Sequence, residues 1–205
     1  MAIDPTLPFK LINRYRFSQG DIGLFILFFT GTCILLTIGL MFVPERTPKL
    51  PFLITGCVLL GASPFLIGPS LIFHLPDTLD IMKVGLVLGG LGKAFAMSFV
   101  IPWGCDAIRN AFPEEEEEAT NKFITINCLV APVSFLILPN LAALLNHKFG
   151  FSPAMDVFGV ILSLFAVSFI GYSILSQNKD KRVSRTNLFE EDEEEASPKK
   201  YEISD

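Results

Sequence analysis

Apolar residues in this chain come in long unbroken runs, not in stripes. Residues 22–43, 50–75, 123–148 and 157–178 hold no Asp, Glu, Lys or Arg apart from Lys148 at a run's end. A fifth run, 79–103, is as long but carries Asp80, Lys83 and Lys93. A hydrocarbon core about 30 Å thick is crossed by about 20 apolar residues in a helix. Helices of a water-soluble domain keep a polar face, and these runs are apolar nearly all round. Strands of a membrane barrel would alternate polar and apolar over about ten residues. Residues 22–40, IGLFILFFTGTCILLTIGL, do not alternate. The pattern therefore predicts an all-α membrane protein with five transmembrane helices, at about 21–43, 50–73, 79–103, 122–146 and 154–176.

The polar segments complete the layout. Residues 1–20 form a mixed lead-in with Pro5 and Pro8, and 44–49 a short charged turn. His74-Leu75-Pro76-Asp77 reads as a tight loop, 104–121 as a longer polar loop, and 148–153 as another short one. From Gln177 to the end the chain is charged and acidic, a composition that predicts a disordered tail. Lys and Arg flanking the spans set orientation. Arg46, Lys49, Arg109, Lys122, Lys179, Lys181, Arg182 and Arg185 fall on one side, against Lys10, Arg14, Arg16 and Lys148 on the other. The excess assigns the two charged loops and the tail to the cytoplasm and the lead-in to the opposite, non-cytoplasmic side. Vesicle and plasma membrane are not distinguished.

The formal charge of -5 adds little, because the acid is concentrated at 114–118 and 190–195, outside the spans. These runs read as solvated charge. No basic patch suits nucleic acid. The basic stretch 179–185 beyond the last span could meet anionic headgroups, with Ser184 as a phosphorylation point. Cys33, Cys57, Cys105 and Cys128 have neither metal-ligand nor disulfide-framework spacing. They read as packing residues, with lipidation of Cys105 at a membrane edge as an alternative. No signal peptide is recognisable.

Several short segments resemble the C-terminal half of a major facilitator superfamily transporter, of the vesicular amine and polyamine branch. Asp4-Pro5-Thr6-Leu7 and then Phe17-Ser18-Gln19-Gly20-Asp21-Ile22-Gly23 look like the end of that family's seventh span and the start of its eighth. Gly39, Glu45, Arg46 and Lys49 resemble a worn copy of its cytoplasmic loop motif, with Pro48 near a glycine position. Gly68-Pro69-Ser70 before His74-Leu75-Pro76 resembles the end of span nine, and Asn146-His147-Lys148-Phe149-Gly150-Phe151 the loop joining spans eleven and twelve. The resemblance covers about residues 4–176. It implies spans eight to twelve of the major facilitator fold, preceded by a remnant of span seven, as a partial or truncated copy of a carrier. It further implies transport of a small solute, with an amine and proton coupling among the options, and association with a second helical half. Such carriers work by rocking two bundles about a central site.

Lys93 is the leading chemical candidate. It stands ten residues before Trp103, about 15 Å from that end of the span. An ammonium near the midplane is costly unless paired or hydrated. Its partner would be a solute anion, water in a cavity or a carboxylate of the absent half; the bland alternative is a water-facing lysine with no role. Gly85, Gly89, Gly92 and Ala96 recur at helical spacing, a small-residue seam for close helix packing. Gly89-Gly90-Leu91-Gly92 follows no strand and is not a phosphate loop. Asn127 and Ser134 share a face of the fourth span and either line the solute path or bond neighbouring helices. Pro64, Pro132 and Pro139 should kink their helices. Trp103 reads as an interfacial anchor. His74 and His147 read as interfacial surface residues, with a luminal pH response as the sharper alternative.

No nucleophile–base pair or metal-ligand cluster is present in this pattern. The sequence therefore predicts no enzyme, no cofactor and no metal, but a multi-pass carrier whose solute path includes Lys93, Asn127 and Ser134. A lone central lysine suits an anion as well as an amine does. The rival reading is a non-transporting membrane subunit or regulator that associates through the glycine seam.

Overall fold

A computed structural model of the chain describes residues 3–44 and 47–196. Every regular element in these residues is a helix: α1 (Ile3–Tyr15), α2 (Gln19–Leu40), α3 (Lys49–Ile67), α4 (Leu79–Ala111), α5 (Glu116–Phe149) and α6 (Phe151–Ala196). Five of them, α2 to α6, are long and apolar enough to cross a membrane. This is the make-up of a multi-pass integral membrane protein. Packing divides the chain at Ala166–Val167 into two compact units, and all tertiary contacts described below lie in the first.

Local chemistry sets the helix ends. Ser18 caps α2 in a reciprocal box: its Oγ accepts from the Asp21 N–H at 3.3 Å, and the Ser18 N–H donates to Asp21 Oδ2 at 3.1 Å. α3 stops at Ile67, six residues before the expected boundary at 73, although the apolar run continues to Leu75. Pro69 is the cause: it biases Gly68 out of the helical region, to φ -101° and ψ 91°. The Gly68 N–H still closes the last turn on the Pro64 carbonyl at 2.9 Å.

The expected 104–121 loop is a correction. α4 continues to Ala111 and α5 begins at Glu116, so only 112–115 connect them. Glu116, Glu117 and Glu118 form the first turn of α5, where carboxylates complement the positive end of the helix dipole. Arg109 Nε donates to Glu116 Oε1 at 2.7 Å across the turn, and Lys122 pairs with Glu118 at 2.6 Å one turn along. Trp103 consequently lies within α4 and not at its end.

The lead-in also differs from its expectation. It forms α1, and Leu7 and Leu11, one turn apart, are fully buried against Ile22, Phe25, Phe29, Ile67, Met82 and Leu86. At the other end, α6 passes the expected boundary at 176 and runs to Ala196, into the tail that composition predicts to be disordered. Lys, Arg and Glu are good helix formers, and extending an existing helix avoids the nucleation cost. Residues 197–205, and the side chains of 179–185 and 190–195, lie outside the described residues.

Candidate functional site

α4 is the hub, and its glycines allow that. A Cβ on Gly85 would lie 2.8 Å from the Ile67 nitrogen, one on Gly89 2.5 Å from Ser63 Oγ, and one on Gly92 2.8 Å from the Leu60 nitrogen. Gly56 answers from α3, its absent Cβ 2.9 Å from the Ala96 nitrogen. The seam Gly85, Gly89, Gly92 and Ala96 thus faces α3 at backbone distance. Ser63 Oγ donates to the Gly85 carbonyl at 2.9 Å inside this contact. Gly90 faces the other way: its absent Cβ would stand 2.5 Å from the Phe29 carbonyl of α2. Gly90 gave no signal as part of the seam, because it lies off the seam's face.

Contact at Gly90 draws α2 against α4 and sets the surroundings of Lys93. Lys93 is half-buried, and its Nζ lies 5.5 Å from the centre of the Phe29 ring, itself 7% exposed. The ring's negative face partly compensates the ammonium. No described carboxylate pairs with it. Asn127 and Ser134 are half-buried on α5. Asn127 Nδ2 donates to the Phe123 carbonyl at 3.0 Å, one turn back in its own helix. No hydrogen bond or ion pair among the described residues joins Lys93, Asn127 and Ser134.

The loop-motif residues disperse. Gly39 is near the end of α2 with open space around it, Glu45 and Arg46 lie outside the described residues, and Lys49 opens α3. Lys49 Nζ pairs with Asp106 Oδ2 at 2.6 Å, joining the start of α3 to the far part of α4. His74 and His147 are exposed. The four cysteines are free thiols, Cys57 buried and Cys128 exposed. Among the described residues no three His, Cys, Asp or Glu side chains group as metal ligands.

Two polar sites were not foreseen. At the first, Asp77 after the α3 turn receives Lys10 Nζ at 3.0 Å, Arg14 Nη1, and the Tyr15 hydroxyl at 3.1 Å. Lys10 and Arg14 are one helical turn apart, a spacing that could have flagged a shared partner. Burial is the main influence on Lys10 and lowers its pKa from 10.5, against the opposing pull of Asp77; its Nζ also lies 4.7 Å from the centre of the Phe151 ring. Burial, then the bond to Asp77, raises the Tyr15 phenol above 10.0. Beside this knot is a groove of about 380 Å³ lined by Phe9, Lys10, Asn13, Arg14, Asn146 and Phe151.

The second is Asp156 on α6, 6% exposed, whose Oδ2 accepts the Leu71 N–H at 3.0 Å. Its neighbours in sequence are apolar and its partner lies 85 residues away, so no spacing rule points to it. No family model matches this chain, and no curated protein or solved structure matches it.

Proposed function

We propose that the chain works in transmembrane transport of a small solute, as part of a secondary carrier of the major facilitator kind, with Lys93 on the solute path. One observation carries this reading: a half-buried ammonium deep in an apolar helix, faced by an aromatic ring and paired with no described carboxylate. Ionisable groups at such depth mark solute or ion pathways. A cation on the path favours a solute with an anionic group over an amine, since like charges repel strongly where water is scarce. Asn127 and Ser134 would act as secondary polar contacts.

The test is uptake into proteoliposomes from a panel of small anions and amines. Lys93→Ala is expected to reduce uptake of the transported solute to background, and Lys93→Arg to keep part of it. Unchanged uptake by Lys93→Ala rejects the assignment.

A second reading, a non-transporting subunit or regulator, loses the glycine seam as its association surface, because α3 already fills it, and draws on α5 instead. Leu129, Val133, Leu136 and Leu144 are all more than half exposed along that helix. Such a surface suits lipid or a helix of another polypeptide. Co-purification of a helical partner without solute flux would favour this reading.

A further inference from the structure

α3 ends at Ile67 while its apolar run continues to Leu75, so Gly68-Pro69-Ser70 place non-helical backbone at the end of an apolar segment. Such backbone is tolerated near lipid when protein buries it. Here α6 does so. Met155, 1% exposed, sits where a Cβ on Gly68 would be, 2.3 Å away. The next residue, Asp156, is five positions into α6, about 7.5 Å from its start. It is 6% exposed, and only its Oδ2 is engaged, by the Leu71 N–H. Asp156 Oδ1 is buried and bonded by no described residue. No described lysine or arginine pairs with this carboxylate. Ser70, directly before Leu71, is 1% exposed, and its Oγ accepts the Phe73 N–H at 3.3 Å.

A buried carboxylate with one side unmatched is costly unless a positive charge meets it. The oxygens nearby in the chain are hard ones: the Ser70 hydroxyl, one residue before the Leu71 N–H that Asp156 Oδ2 accepts, and the main chain of the turn that follows α3. Unwound backbone beside a carboxylate is the kind of donor set that holds a sodium-sized ion within membranes. Calcium takes six to eight oxygens, commonly from several carboxylates, and a single acid does not supply them. We propose that Asp156 Oδ1, with Ser70 and the 68–70 turn, binds a monovalent alkali cation of sodium size. This site is separate from Lys93 and stands whether or not the chain carries a solute.

The experiment is thermal unfolding of the full chain in neutral-lipid nanodiscs, with NaCl replacing choline chloride at constant ionic strength. Wild type is expected to show a saturable rise of about 3–6 °C at tenfold excess over the dissociation constant. Asp156→Asn keeps an acceptor for Leu71 and is expected to lose the rise; Ser70→Ala is expected to need more sodium for the same effect. Equal stability of wild type in sodium and choline overturns the proposal, as does a full response in Asp156→Asn. A response to acidification with none to sodium also overturns it and gives the carboxylate to a proton. Should Asp156→Asn fail to fold, radioactive sodium binding to wild type decides: one saturable site supports the proposal, and none rejects it.

Discussion

Asp77 gathers Lys10, Arg14 and Tyr15 at one carboxylate, and these bonds hold α1 to the turn between α3 and α4. Lys10 has a side chain only 9% exposed. Replacing Asp77 by Asn removes the opposing charge but keeps an acceptor and the Phe151 ring face, at a cost of about 1–3 kcal/mol. Asp77→Asn is therefore expected to lower stability by about that amount in a detergent or denaturant titration. Adding Lys10→Met should recover part of the loss, because removing both charges is milder than removing one. Tyr15 supplies a pH test. Its phenol titrates above 10.0 in the folded chain, so unfolded chains ionise first as pH rises through 10. Its contribution is present in full below pH 10 and declines above it. The stability gap between wild type and Tyr15→Phe should narrow as pH climbs past 10; a widening gap would contradict the sign. Lys10, with its lowered value, acts in the opposite direction just below 10.5, which is why the comparison must isolate Tyr15.

Helices α3 and α4 meet through glycines, and the contact distances rank those glycines. A methyl group at Gly92 would meet the Leu60 nitrogen at 2.8 Å and the Gly56 carbonyl at 2.9 Å. Backbone cannot rotate away as a side chain does, so Gly92→Ala must separate the helices, at about 1–3 kcal/mol. Gly23, in α2, has nothing within 4 Å of the added carbon. There the same change should be neutral or stabilise by about 0.5–1 kcal/mol through helix propensity. Melting temperatures of the two variants check both signs. Gly150 joins α5 to α6 at φ 89° and ψ 171° with open space around it. Gly150→Ala meets no neighbour but forces a side chain into a glycine-only region, costing about 1–3 kcal/mol. Of these features the seam spacing was read from the chain itself, whereas the end of α3 before Pro69 was expected six residues later. The α4–α5 turn was not readable, because five glutamates in a row read equally as solvated loop or as a helix's first turns. Only the Arg109 and Lys122 partners separate the two.

Across the molecule, ion pairs sort the helix ends. Lys49 and Asp106 tie α3 to α4 on the side of the 112–115 turn, while Lys10 and Asp77 tie α1 to the opposite turn. The sequence-based expectation, from the excess of Lys and Arg, is that the first side faces the cytoplasm, and labelling tests it. In a background with Cys33, Cys57, Cys105 and Cys128 replaced by Ser, Glu114→Cys should react with an impermeant maleimide only from the cytoplasmic face. Lys148→Cys should react only from the other. Labelling of both from one face would break the five-span layout.

The apolar runs along the sequence by themselves determined that the chain has five long apolar helices and in what order they come, because removal from water depends on the run of side chains and not on neighbours. They also singled out Lys93 as a charge out of place. Tertiary structure alone decided which charges are matched: Lys10 finds Asp77 across 67 positions, Lys49 finds Asp106 across 57, and Asp156 reaches the Leu71 N–H across 85. Those partners meet only when helix ends converge, and the glycine contacts that bring them together act through backbone distance, which no single run of sequence expresses.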